Sequence, residues 1–331
     1  MKVCVHYPYL HNADAFESAR LRKTLKGACE LVGISWDEEP NPSTEIAHFL
    51  SPLDEKALLR CKKKGIKTVL SCFYCENDYR ASFLLRNGDG IRISDAALRV
   101  MNEADLILVP TSSLAELSVK QGVKTPIEVL PSGVNLERFS HKSIEANIFP
   151  RYFRVSEEKK FVMCVGAYRD KKTIISLQKL ARLTPDIRFY FFGAKRYLPL
   201  RVFKGELMRR SPSNLIFEPI VEDDVYRSAL MHCMAYLLLD DEHPDQMALM
   251  DAFASGAEVV ALGEQKANPV LKDKVNCLLF PNEEEASLAL SRLYLAPDKA
   301  IIMAGRKEAE RCALPLFASE LKKNYEKVLQ K

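Results

Sequence analysis

Nowhere does the sequence hold a run of about 18 uncharged apolar residues, so no helical membrane span is expected. Low-complexity tracts, short repeats and sustained heptads are also missing, which sets aside disordered, collagenous and coiled-coil chains. Neither a P-loop signature nor an HExxH zinc helix is present. An excess of one charge is lacking too: 48 basic side chains face 44 acidic ones, a net +4, too mild for a dedicated nucleic-acid binder. The opening Met1-Lys-Val-Cys-Val-His-Tyr-Pro8 has one Lys and no apolar stretch behind it, unlike a secretory signal, and a cytoplasmic location is the expectation.

What is present is ordinary globular composition, 47% hydrophobic and 28% charged over 331 residues. At about 100–200 residues per domain that length points to two domains. Residues 1–145 hold 19 basic and 19 acidic side chains, so the whole surplus (29 against 25) lies in the remainder, which suits a second half that handles a phosphorylated ligand. The nine cysteines are odd in number, and several sit inside apolar runs. Buried thiols in a reducing compartment explain them best. Cys72-Phe-Tyr-Cys75 has the spacing of a redox or zinc half-motif but no second pair beside it.

Short apolar runs alternate with helical periods. Strands are expected at Lys2–Tyr7, Glu45–Leu50, Lys67–Ser71, Asp105–Pro110 and Ile127–Leu130. Helices are expected at Ala15–Val32, Asp54–Lys64, Asp95–Glu103 and Ser112–Gln121. Such alternation argues for a parallel, doubly wound sheet. The pattern breaks at Pro131–Phe139 and restarts with strands at Lys160–Val165, Ile187–Phe192, Leu215–Glu218, Ala235–Asp240, Ala257–Ala261 and Asn276–Phe280. Between them lie helices at Thr173–Leu183, Val225–His232 and Gln246–Ala254. Two tandem doubly wound domains result, and ligands in such folds sit beyond the carboxyl ends of the strands. Gly166 ends a strand and Thr173 opens a helix, whose free N–H groups and positive dipole suit a diphosphate. Lys172 beside it reads either as a phosphate cation or as a solvated lysine in Asp170-Lys-Lys172. Asp251 reads either as a carboxylate for ribose hydroxyls or as a surface helix acid.

Four ordered stretches resemble the retaining GT-B glycosyltransferases that use nucleotide-sugar donors. They are Pro131-Ser-Gly-Val-Asn-Leu-Glu-Arg-Phe139, Val165-Gly-Ala-Tyr-Arg-Asp-Lys-Lys172, Tyr190-Phe-Phe-Gly193, and Tyr236–Gly256 with its closing Asp251-Ala-Phe-Ala-Ser-Gly256. Each motif alone is weak, but their order and spacing cover nearly the whole chain. The resemblance implies two facing Rossmann-like domains with an interdomain cleft. An acceptor domain would span 1–148 and a donor domain 149–315, with a C-terminal helix over about 316–331 packing back on the first. It implies that Gly166, Arg169, Lys172, Gly193 and Asp251 bind the donor, and that Gly133 and Asn135 line a cleft loop. His243 stands where the family has a Glu, with Glu242 adjacent. Glu76 stands in the region where the family often has a His. These three are the candidate catalytic residues. The loop after the first strand, His11-Asn-Ala-Asp14, lacks the family's glycines, Ala167 replaces its Arg, and Lys195 replaces the second Gly of its GxG.

Asp240-Asp241-Glu242 and Asp223-Asp224 read as capping or solvated acids rather than a metal motif, and no metal or other cofactor is expected. Two basic stretches, Lys56–Lys67 and Lys195–Arg210, read as surface helices or as a peripheral membrane contact. The expected function is transfer of a sugar from a nucleotide-diphosphate donor to a glycan or lipid-linked acceptor, retaining and metal-independent. The alternative is a non-catalytic GT-B partner or chaperone of another transferase, and a third class is a sugar-phosphate-binding module or related epimerase.

Overall fold

The computed structural model describes residues 1–7, 15–52, 54–74, 92–140, 148–154, 160–167, 171–194, 210–218, 221–239, 246–265 and 268–330. Two six-stranded sheets, parallel throughout, organise the chain. The first comprises β1 (Lys2–His6), β2 (Ser35–Asp37), β3 (Ile46–Phe49), β4 (Lys67–Ser71), β5 (Leu106–Val109) and β6 (Ile127–Val129), in the order β2-β1-β3-β4-β5-β6. Its flanking helices are α1 (Ala15–Leu31), α2 (Glu55–Lys63), α3 (Asp95–Glu103) and α4 (Ser112–Lys120). Central strands such as Leu-Ile-Leu-Val of β5 are buried throughout, as a sheet covered on both faces requires. The helix starts follow local chemistry. Asp54, Ser94 and Thr111 each accept a hydrogen bond from a backbone N–H three residues on, satisfying donors that the first turn leaves open.

A short helix, α5 (Ile148–Tyr152), lies where the sequence reads as irregular. The second sheet holds β7 (Phe161–Ala167), β8 (Arg188–Ala194), β9 (Leu215–Glu218), β10 (Ala235–Leu238), β11 (Glu258–Leu262) and β12 (Leu278–Phe280), in the order β12-β11-β10-β7-β8-β9. Around it lie α6 (Lys171–Leu183), α7 (Asp223–His232), α8 (Gln246–Ser255), α9 (Glu283–Leu295) and α10 (Lys299–Arg311). Strand β7 runs on through Ala167 and α6 begins at Lys171, so the expected helix start at Thr173 moves two residues upstream.

The last helix, α11 (Leu314–Leu329), belongs to the first sheet: Phe317, Ala318, Leu321, Tyr325 and Val328 join its core. Buried His48 on β3 bridges Tyr325 Oη at 2.6 Å and Ser71 Oγ at 2.7 Å. The chain crosses between the sheets twice, and the crossings are joined. Val134 N–H donates to the Cys312 carbonyl and Leu314 N–H to the Val134 carbonyl, each at 2.9 Å.

Candidate active site

Strand order locates the ligand crevice of each sheet. In the second, the chain leaves β7 toward β8 and β9, then returns to β10 on the other side of β7. Ligands in open α/β sheets bind outside the carboxyl ends at such a reversal. Gly166 is the penultimate residue of β7, Lys172 lies in the first turn of the helix after β7, and Asp251 lies on the helix after β10. These residues, spread over 86 positions of the sequence (251 − 166 + 1), thus lie on β7 and on the helices that follow the two strands flanking the reversal. The first sheet reverses between β1 and β3, where His6 and Ser51 stand.

Gly166 and Gly193 are register partners on β7 and β8. A Cβ on Gly193 would lie 2.6 Å from the Phe191 ring and 2.9 Å from the Gly166 carbonyl oxygen, so no side chain fits. At Gly193 bare backbone is a steric necessity, and at Gly166 a Cβ would press on the Phe191 ring at 3.1 Å. Lys171 and Lys172, both exposed, occupy the first turn of α6, which has no acidic residue. Cations there oppose the helix dipole at a cost of about 0.3–1 kcal/mol each, a cost that an anion at the helix end would relieve.

Asp251 is 8% exposed, because all ten residues of α8 are buried. One turn earlier, Met247 packs among the core residues of the first sheet. Asp251 accepts a hydrogen bond from Arg20 of α1, across the two domains, and the Arg20 guanidinium lies 4.9 Å from the centroid of Tyr226 on α7. The surface-acid reading of Asp251 is thereby excluded. Nearby, Asp223 is held below the ordinary carboxylate range by Arg138 and Arg227, against the opposing effect of burial.

Gly133, placed by the resemblance in a cleft loop, lies against a helix: a Cβ there would meet the Phe317 ring of α11 at 2.6 Å. Asn135 caps a 3-10 turn, Leu136–Phe139, accepting from Glu137 N–H at 3.1 Å. Glu76, Arg169, Glu242 and His243 lie outside the described residues, as do Cys75, Asp240, Asp241 and most of the second basic stretch. Among the described residues no group of three or more His, Cys, Asp or Glu side chains is placed to hold a metal. Seven of the eight described cysteines are buried, and burial pushes the Cys29 thiol up to about 12 and Cys312 up to about 11. Thiols so shifted stay protonated and unreactive. Sequence reasoning missed Arg20, Met247 and Tyr226. Arg20 is one of several basic residues along α1, and nothing local sets it apart.

No family model matches the chain. A curated relative, the processive diacylglycerol alpha-glucosyltransferase of Acholeplasma laidlawii, is 22% identical over 306 residues, 92% of each chain. Sucrose-phosphate synthase from Thermosynechococcus elongatus superposes with a TM-score of 0.74 at 13% identity, covering 100% of this chain and 99% of that one. The Anabaena protein HepE, solved with UDP-glucose, superposes at 0.70 with 11% identity over 99% and 100% of the chains. The two parallel six-stranded sheets with flanking helices and these comparisons together make this chain a GT-B-fold homologue of glycosyltransferases, as its ordered motifs lead one to expect.

Proposed function

We propose that this protein transfers a glucosyl unit from a nucleoside diphosphate donor, UDP-glucose first among candidates, to a membrane-borne diacylglycerol-type acceptor, with retention and without a metal. The reading is supported by the placement of Gly166 on β7, Lys172 in the first turn of the helix after β7 and Asp251 on the helix after β10, the two strands that flank the reversal of the second sheet. The donor and acceptor chemistries are taken from what HepE was solved with and from what the Acholeplasma enzyme acts on. In this reading Asp251 accepts ribose hydroxyls. The bare backbone at Gly166 and Gly193 lets the diphosphate approach the sheet edge. The N-terminus of α6, with Lys172 and Arg169, meets the charge that grows on the departing nucleoside diphosphate. Glu242 and His243 are assigned to the sugar hydroxyls and Glu76 to the acceptor side.

An exposed basic face supports a membrane-borne acceptor. Lys56, Arg60, Lys63 and Lys64 are spaced along one side of α2 and its C-cap, and none makes an ion pair among the described residues. Lys62 instead pairs with Glu103 at 2.8 Å. Cations so placed attract an anionic bilayer by about 1 kcal/mol each. No described helix is long and apolar enough to cross a membrane.

The test is incubation with radiolabelled UDP-glucose and diacylglycerol in anionic vesicles, with EDTA present, followed by NMR assignment of the product anomer. Alpha-linked glycolipid is the expected product. A second reading, a non-catalytic partner of another transferase, is favoured by His243 standing where the resemblance leads to Glu. Neither transfer nor slow donor hydrolysis across UDP-, GDP- and ADP-sugars would decide for it.

A further inference from the structure

We propose that Arg20, contributed by the first domain, is a positioning residue for the nucleotide: it holds the Asp251 carboxylate in the orientation that receives the ribose. The inference rests on the donor-site reading above.

Three observations carry it. Arg20 and Asp251 are both nearly buried, at 7% and 8% exposure, and engage each other across the domain interface. Arg20 is itself held in place, with the Tyr226 ring against its guanidinium and Tyr226 only 1% exposed. Third, α1 follows β1 and α8 follows β10, so the pair joins the helices that leave the reversal points of the two sheets. Met247, one turn before Asp251, is already seated in the first domain's core and keeps that face of α8 turned toward α1.

The chemistry follows. A carboxylate taken out of water needs a charge partner and defined hydrogen bonds. Arg20 supplies the charge and selects the side-chain orientation. A carboxylate has about four lone-pair positions, so the guanidinium and two ribose hydroxyls can be accommodated together. The donor site of the second domain is then completed by a residue of the first, and nucleotide affinity depends on the two being docked. Arg20 touches no phosphate in this scheme, so its effect is the same with or without the diphosphate.

Isothermal titration of UDP and of uridine into wild type, Arg20→Gln, Arg20→Lys, Asp251→Asn and the Arg20→Gln/Asp251→Asn double variant tests this, with circular dichroism checking each fold. Arg20→Gln is expected to weaken UDP and uridine alike, by about five- to fiftyfold. Arg20→Lys, which keeps the cation but loses the planar group over Tyr226, should recover only part of the loss. In the Asp251→Asn background Arg20→Gln should cost less than about twofold, because residues acting through one another are not additive. A lowered melting point with both affinities unchanged, or losses that multiply in the double variant, would overturn the role of Arg20 while the donor-site reading stands. If wild type binds neither ligand, or Asp251→Asn leaves both affinities intact, the donor-site reading falls and the role of Arg20 with it.

Discussion

The Tyr325 hydroxyl lies 2.6 Å from His48 Nδ1, and that contact ties the last helix of the chain to the third strand of the first sheet. The other ring nitrogen of His48 lies 2.7 Å from Ser71 Oγ, so a neutral imidazole has both nitrogens satisfied inside the core. Complete burial lowers the His48 pKa to about 3. Its unfolded counterpart titrates near 6.5, so the folded state binds the proton less well. Stability from this site is full above about pH 6.5 and is lost as pH falls toward 3. Urea unfolding of wild type across that window should show the decline. Tyr325→Phe, which leaves Nδ1 without its partner, should cost about 1–3 kcal/mol at pH 7. Unchanged stability in Tyr325→Phe would mean that the contact contributes nothing.

Glu258 has the opposite sign. It opens β11 at 1% exposure, one carboxylate oxygen accepts from Asp298 N–H at 2.9 Å, and the other has no hydrogen-bond partner among the described residues. Burial, chiefly, raises its pKa to about 7 from 4.5. The folded state therefore favours the protonated form. The stability this confers is full below about pH 4.5 and is lost as pH rises through 7. Glu258→Gln keeps an acceptor for Asp298 N–H and removes the buried charge. It should raise stability at pH 8 by about 1–3 kcal/mol and flatten the curve between pH 5 and 8. Equal pH profiles for the two proteins would count against this assignment.

Lys172→Ala separates phosphate from nucleoside binding. Hydrogen bonds to charged groups are worth about 1.5–3 kcal/mol, so UDP affinity should fall roughly ten- to hundredfold. Uridine affinity should not move. Equal losses for the two ligands would remove Lys172 from the phosphate site.

The basic face of α2 makes a salt-dependent prediction. Wild type should co-sediment with vesicles rich in anionic lipid and release as salt rises, since the Debye length falls to about 3 Å at 1 M. Replacing Lys56, Arg60, Lys63 and Lys64 together by Gln should abolish that binding and leave UDP affinity intact. Salt-insensitive binding in wild type would point to apolar insertion elsewhere.

Much of the architecture is legible locally. Strand–helix alternation and the fully apolar run at Leu106–Val109 depend on near neighbours, and they appear where the sequence puts them. The three-residue edge strand Ser35–Asp37 was not legible, because it carries no period and exists only through pairing with β1. Gly133 illustrates a subtler gap. Gly133 stands out in the sequence only as part of the Pro131–Phe139 stretch, because Phe317, the side chain that imposes glycine there, lies 184 positions away (317 − 133).

The candidate site divides the same way. Gly166, Lys172 and Asp251 stand out by the order and spacing of the motifs that hold them, and a strand end, the helix start after it and a later helix of the same domain carry them. That Asp251 is a buried partner of Arg20 is a property of the interface. It is set by how α8 turns its Met247 face into the first domain's core and brings Asp251 onto α1. The sequence by itself determines most of the strands and helices, since hydrophobic period and capping act over a few residues. Tertiary structure alone decides which charges meet between domains, since a guanidinium 231 positions from its carboxylate leaves no trace in either local pattern.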